Sequence, residues 1–297
     1  MTGGPLRTRA AGDEGRPRDR QRPELPPALP SPVADSHCHL DIADGVDGDW
    51  LATADAVRLA ASVGVTRIVQ IGCDLAGAAW AVDIAQEHEA IVAGVSLHPN
   101  EAPRLAAGGD LPEGLSQIER LATTSHRVRV VGETGLDYFR TGPEGRAAQH
   151  ESFRAHIAMA RDHDKTLVIH DRDAHDDVLR ILDEEGVPDR VVMHCFSGDA
   201  AFARACVDRG CFLSYAGTVT FKNAGPLREA LAVTPLDRVL VETDAPFLTP
   251  SPHRGRPNAS YLIPLTVRRM AEVTGTDLRD LCHAINANTD RAFGGPW

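Results

Sequence analysis

The sequence predicts an α/β fold, a single (β/α)8 barrel spanning residues 33–297, and three observations predict it. Short β-branched runs alternate with helical stretches, the pattern of parallel strands joined by crossover helices. Eight such runs occur in order after Val33. No short-period repeat and no second change of composition divides them, and a barrel of roughly 250 residues is routinely one domain. A doubly wound open sheet is the alternative. It would call for a GxGxxG turn after the first strand, and none is present.

Taken in order, the strands are expected at 33–35, 67–71, 91–97, 128–132, 166–169, 191–193, 211–214 and 238–241. Each is a run such as RIVQI, TLVI or RVLV, rich in residues that pack on a pleated surface. Between them, helical patterns are expected at 49–63, 76–87, 146–163 and 200–209. With 42% hydrophobic residues the chain can fill a large core, and it lacks the apolar run of about 18 residues that spans a bilayer. Six cysteines without a CxxC pair read as packing thiols in a reducing compartment, which places the protein in the cytoplasm.

Residues 1–32 differ from the rest: seven prolines, six arginines and no Ile, Val or Phe. Such a stretch cannot build a core, and it has no apolar h-region, so it reads as a disordered extension and not as a signal peptide. It carries +2 of the total −11, leaving about −13 on the body. An acidic body repels bulk nucleic acid except where basic side chains gather locally.

Polar residues close the strands. The first ends in DSHCHLD, where His37 and His39, two apart on an extended chain, point to one face. Two histidines on a solvated strand would give the same short motif. However, VVGE ends in Glu133, TLVIH in His170, VVMH in His194 and VLVETD in Asp244. In a barrel these carboxyl ends converge on one face, and a charged or imidazole group closing an apolar run is costly to bury alone. Five strands doing so point to shared cations. Four imidazoles and two carboxylates exceed one tetrahedral sphere but suit two ions, with His37, His39 and Asp244 on one, His170 and His194 on the other, and Glu133 bridging. Nitrogen and oxygen donors fit zinc, manganese or magnesium.

The motifs DSHCHLD, SLHPNEA, GETGLDYFR, LVIHDRDAHDD, MHCFSGD and VETDAPFLTPSPHRGRPN follow one another along the body. In these the chain resembles the TatD family of metal-dependent deoxyribonucleases, from about Val33 to Phe293. The resemblance implies a two-metal site on His37, His39, Glu133, His170, His194 and Asp244. It also implies phosphodiester hydrolysis on DNA, often 3′ to 5′ and on single strands, by a monomer. Ser260 stands where that pattern has Pro, and the arginine-rich leader has no counterpart in it. In the chemistry so implied, Asp244 is both ligand and proton acceptor, with Glu133 the second catalytic carboxylate.

Other residues are candidates for substrate contact. His98 closes the third strand and is similar to a family histidine that meets substrate. Arg254 is expected at a positive rim with Arg256, Arg140 and Lys222, although any one of them could be a solvated surface charge. Tyr138 and Phe139 could stack a base or sit in the core. Cys38 and Cys195 adjoin ligands, and alternation turns them away. His88, His126, His150, His156, His163, His175 and His283 read as surface residues.

Two rivals remain. Amidohydrolase barrels cleaving C–N or ester bonds of small molecules commonly bridge their metals with a carboxylated lysine at the fourth strand, where this chain has Glu133. A metal- or nucleic-acid-binding module without turnover would have no need of the complete ligand set.

Overall fold

A computed structural model describes residues 4–9 and 19–297. Eight parallel strands form one sheet in chain order: β1 Val33–Cys38, β2 Val65–Gly72, β3 Ile91–Val95, β4 Val128–Asp137, β5 Thr166–Arg172, β6 Val191–Met193, β7 Phe212–Tyr215 and β8 Val239–Val241. The sheet closes where the segment after β8 meets β1. There Cys38 bridges Ala245, Asp244 N–H donates to the His37 carbonyl at 2.9 Å, and His39 N–H to the Ala245 carbonyl at 2.8 Å. The barrel is therefore a (β/α)8 fold. Its helices are α1 Thr53–Ser62, α2 Leu75–Glu87, α3 Glu101–Gly108, α4 Leu111–Thr123, α5 Pro143–Asp162, α6 His175–Glu185, α7 Ala200–Asp208, α8 Gly225–Val233, α9 Ile263–Thr274 and α10 Leu278–Ala292. Among the described residues, no helix is long and apolar enough to cross a membrane.

Two apolar layers hold these elements. One lies between strands and helices, from Ile68 and Leu167 out to Ile157 and Ile181. The other fills the barrel: Val69, Ile71, Val92, Val130, Val168, Val192, Phe212 and Leu240, with Phe293 and Trp297 packed against them. Side chains alternate along a strand, so each step of two from this inner layer reaches the carboxyl end on the same inward face. Val168 leads to His170, Val192 to His194, and Leu240 to Glu242 and Asp244.

Residues 19–32 and 4–9 depart from the disorder expected of the leader. Leu29 is buried, and its N–H donates to the Val63 carbonyl at 3.0 Å. Tyr261 donates to the Pro23 carbonyl at 2.8 Å, Arg268 to Ala28 at 2.9 Å, and Arg279 to Pro30 at 3.2 Å. Composition measures capacity to build a core; a proline-rich strand can instead be tied down by its own carbonyls, which proline leaves free to accept. Residues 1–3 and 10–18 of the leader lie outside the described residues.

Candidate metal centre

Glu133 sits at the centre of the site because of the glycines beside it. In GETG, Gly132 has φ +147° and Gly135 has φ +131°. A Cβ at Gly132 would meet the Val168 carbonyl at 2.4 Å, and one at Gly135 the His170 carbonyl at 2.1 Å. No larger residue fits, so β4 lies close against β5 as it carries the carboxylate inward. The register of β4 on β5 shifts between Val131 and Thr134, where Glu133 turns.

The two oxygens of Glu133 face two sets of imidazoles. Oε1 lies 2.7 Å from His170 Nδ1, 3.2 Å from His194 Nε2 and 3.3 Å from His98 Nε2. Oε2 lies 3.4 Å from His37 Nε2 and 3.8 Å from His39 Nε2. Asp244 Oδ1 approaches the second set, 3.3 Å from His39 and 3.9 Å from His37. All six sequence-predicted ligands are thus together, with His98 among them. Donor atoms within 4.8 Å of one another form four groups: His37, His39 and Asp244; His37, Glu133 and His194; His98, Glu133 and His170; and His39, Cys73 and Glu133. His170 therefore shares Glu133 with His98, whereas His194 shares it with His37, a division finer than the one expected from strand order.

Groups behind the imidazoles fix their direction. His39 Nδ1 lies 3.0 Å from the Ile71 carbonyl, so Nδ1 carries the proton of the neutral ring and Nε2 is the nitrogen left to face inward. Glu242, fully buried, places Oε1 at 2.9 Å from His194 Nδ1, at ion-pair distance though out of hydrogen-bond alignment, and accepts from Cys195 N–H at 2.8 Å. Asp137 stands 3.5 Å from His170 Nε2. His98 Nδ1 accepts from Asn100 N–H at 3.1 Å, which places the proton of the neutral ring on Nε2, toward Glu133. Asp244 has φ +53°, a conformation Asp tolerates, held by its N–H bond to His37.

The electrostatics favour a cation. Burial pushes the Glu133 carboxyl up, but His194, His98 and His170 overcome this and hold it well below the usual carboxylate range. Burial likewise opposes ionisation of Asp244 and is outweighed by His39, His194 and His37. Burial lowers His194 too, yet Glu242 and Glu133 raise it well above the ordinary imidazole value. Carboxylates that hold a proton on His194 would equally hold a metal ion. Imidazole nitrogens and carboxylate oxygens in such groups are the donors that divalent metals take, so the residues present fit the group.

The site opens into a cavity of about 610 Å³. Arg7, Arg140 and Arg172 line it, with Asn100, Asp171 and Phe247. Arg254 does not: its guanidinium lies over the Phe221 ring at 4.4 Å. Arg256 pairs with Asp19 at 2.7 Å, and Lys222 is not in the lining. The PHRGRPN and TFKN loops therefore leave the rim to Arg140, Arg172 and Arg7. Phe139 is 62% exposed beneath Arg172, 3.7 Å from its ring, while Tyr138 turns away to hydrogen-bond Asp177 at 2.5 Å. Cys38 is buried against Val69, but Cys195 lines the cavity, because its φ of +43° breaks the alternation expected to turn it away. Cys73 Sγ comes within 3.4 Å of Glu133 Oε2. His156 is buried, contrary to the surface expectation: it donates from Nδ1 to the Ser152 carbonyl at 2.7 Å and accepts Leu97 N–H on Nε2 at 3.1 Å.

A (β/α)8 barrel gathering imidazoles and carboxylates at the carboxyl ends of its strands belongs to the class of metal-dependent hydrolases. A family model described as TatD related DNase matches residues 34–294, and the chain belongs to the TatD family. It is 42% identical over 269 residues to the metal-dependent hydrolase TatD of Mycobacterium tuberculosis, covering 89% of this chain and 99% of that one. It is 37% identical over 264 residues to the metal-dependent hydrolase YcfH of Escherichia coli, covering 88% and 95%. The crystal structure of YjjV, a TatD homologue of Escherichia coli, superposes with a TM-score of 0.79 at 25% identity, covering 89% of this chain and 98% of that one. The protein is a metal-dependent hydrolase of that family.

Proposed function

We propose that this hydrolase cleaves phosphodiester bonds of DNA, removing nucleotides 3′ to 5′ from single-stranded ends, with two divalent cations (Mg, Mn or Zn) held by His37, His39, Glu133, His170, His194 and Asp244. The observation that carries this reading is the division of Glu133, one oxygen toward His170, His194 and His98 and the other toward His37 and His39. Cations bound there would activate water and neutralise charge gathering on the phosphoryl oxygens. Asp244, 16% exposed and kept ionised by His39, accepts a proton at the cavity floor. His98 presents its Nε2 proton beside Glu133, within reach of a substrate oxygen. Arg140 and Arg172 draw the polyanion to an otherwise acidic body, and exposed Phe139 offers a face to an unpaired base. Free cysteines and the family resemblance support a cytoplasmic monomer.

The test is a metal-loaded sample incubated with end-labelled single- and double-stranded oligonucleotides, beside a panel of lactones and N-acyl compounds. Stepwise shortening from the 3′ end is expected, lost with the metal in Glu133→Ala. Turnover of the lactone or N-acyl panel with intact DNA would move the protein to the amidohydrolase reading, and no turnover of either at full occupancy to a binding module.

A further inference from the structure

Residues 4–9 lie outside the stretch matched by the family model, yet one of them, Arg7, lines the cavity of the site. Arg7–Thr8 pairs in parallel with Ile42–Ala43, in the loop after β1. Leu6 N–H donates to the Asp41 carbonyl at 2.9 Å and Arg9 N–H to the Ala43 carbonyl at 2.8 Å. The two arginines then diverge. Arg7 donates to Asp41 Oδ2 from Nη2 at 2.8 Å, and its Nη1 stands 3.5 Å from Asp74. Asp41 is fully buried, and its other oxygen takes Gln70 Nε2 at 3.2 Å. Gln70 accepts Leu40 N–H at 2.7 Å and donates to the Ile71 carbonyl at 3.2 Å, the carbonyl that fixes the ring of His39.

Arg9 works on the other side. It donates to Asp44 at 3.1 Å and to the Pro246 carbonyl at 2.8 Å, and its guanidinium covers Phe247 at 4.6 Å. Phe247 stands edge-on to His39, ring centroids 6.3 Å apart. One short strand thereby ties the loop carrying His39 to the segment carrying Asp244. That junction is the barrel's thinnest: β1 and the chain after β8 share an isolated bridge and two backbone bonds, where β2 and β3 share five registered pairs.

We propose that the leader strand is a staple across this seam, and that Arg7 and Arg9 are positioning residues for the cation group of His37, His39 and Asp244, an inference that rests on reading that group as a cation site. It is tested in the full chain with Arg7→Ala/Arg9→Ala and, as the conservative pair, Arg7→Lys/Arg9→Lys. Mn²⁺ binding is followed by equilibrium dialysis, and amide hydrogen exchange is followed in the metal-free protein alongside its melting temperature. In the alanine pair, one class of Mn²⁺ site weakens roughly 10- to 100-fold, the scale for losing outer support of a metal ligand, while the other holds. Exchange accelerates about tenfold or more at 39–44 and 244–249, with β2 to β6 unchanged, and lysines restore part of both, keeping charge without the guanidinium fork. Unchanged exchange at the seam overturns the staple, as does faster exchange throughout the barrel with a falling melting temperature. Wild-type protein that takes up no Mn²⁺ or Zn²⁺ defeats the cation reading, and exchange at the seam then decides the staple alone.

Discussion

Glu242 Oε1 lies 2.9 Å from Nδ1 of His194, and no part of the Glu242 side chain reaches solvent. A carboxylate behind an imidazole sets which nitrogen faces the cavity and strengthens it as a donor. Glu242→Gln keeps the shape and removes the charge. Metal affinity should fall by roughly 10- to 100-fold with the fold intact, measured by competition with a chelator and by circular dichroism on the same sample. Wild-type affinity would show that His194 needs no such support.

Glu242 also marks what the sequence made legible. The six candidate ligand positions are legible because barrel strands alternate, and an imidazole or carboxylate ending a run of Val and Ile stands out. Glu242 obeys the same alternation, two residues after Leu240 and two before Asp244, and Cys73 follows Ile71 by two; both signals were present and overshadowed by their neighbours. The place of Arg254 is not legible because a loop has no periodicity to aim a side chain, and here the guanidinium lies over the ring of Phe221. The order of residues 4–9 and 19–32 is not legible in the sequence because their bonds run from arginines and to proline-flanked carbonyls, which leave no apolar pattern. His156 looked like a surface histidine because its partners are backbone groups of Leu97 and Ser152.

Exposed Phe139 lies against half-buried Arg172, which lines the cavity, with the guanidinium 3.7 Å from the ring. A flexible strand could lay a base on this platform while Arg172 meets phosphate. Phe139→Ala should weaken binding of a single-stranded oligonucleotide by roughly 5- to 100-fold, the range of one lost stacking contact, and leave metal content unchanged. Fluorescence anisotropy on single- and double-stranded probes checks this. Equal losses on both would point to a general structural defect.

His156 should make stability fall in mild acid. Burial depresses its imidazole to about 4, against an ordinary value of 6.5. The folded state therefore resists a proton that the unfolded chain accepts. The contribution is fully present above pH 6.5 and is lost as pH falls from 6.5 toward 4, about 3 kcal/mol across the window. Replacing it with Phe removes the titration but leaves the buried Leu97 N–H unpaired, so the variant should be less stable at pH 7.5 and less sensitive to acid. Urea melts of the metal-free protein at pH 7.5 and 5 compare the two, and parallel losses in both would assign the acid sensitivity elsewhere.

Asp244 gives the sharpest separation of binding from turnover. Its Oδ1 lies 3.3 Å from His39, the side chain retains some exposure toward the cavity, and neighbouring imidazoles keep it ionised against burial. Asp244→Asn preserves the outline and the Oδ1 donor but removes the negative charge that would accept a proton. His170, His194, His98 and Glu133 remain in place, so at least one cation should still bind, and Arg140 and Arg172 still face the substrate. Single-turnover cleavage should drop by roughly 10² or more, the usual scale for a lost general base, while oligonucleotide affinity stays within a few fold. Both are measured on one preparation whose metal content is known. Cleavage close to wild type at full occupancy would remove Asp244 from proton transfer, and His98, with Nε2 already 3.3 Å from Glu133, would be the next residue to replace.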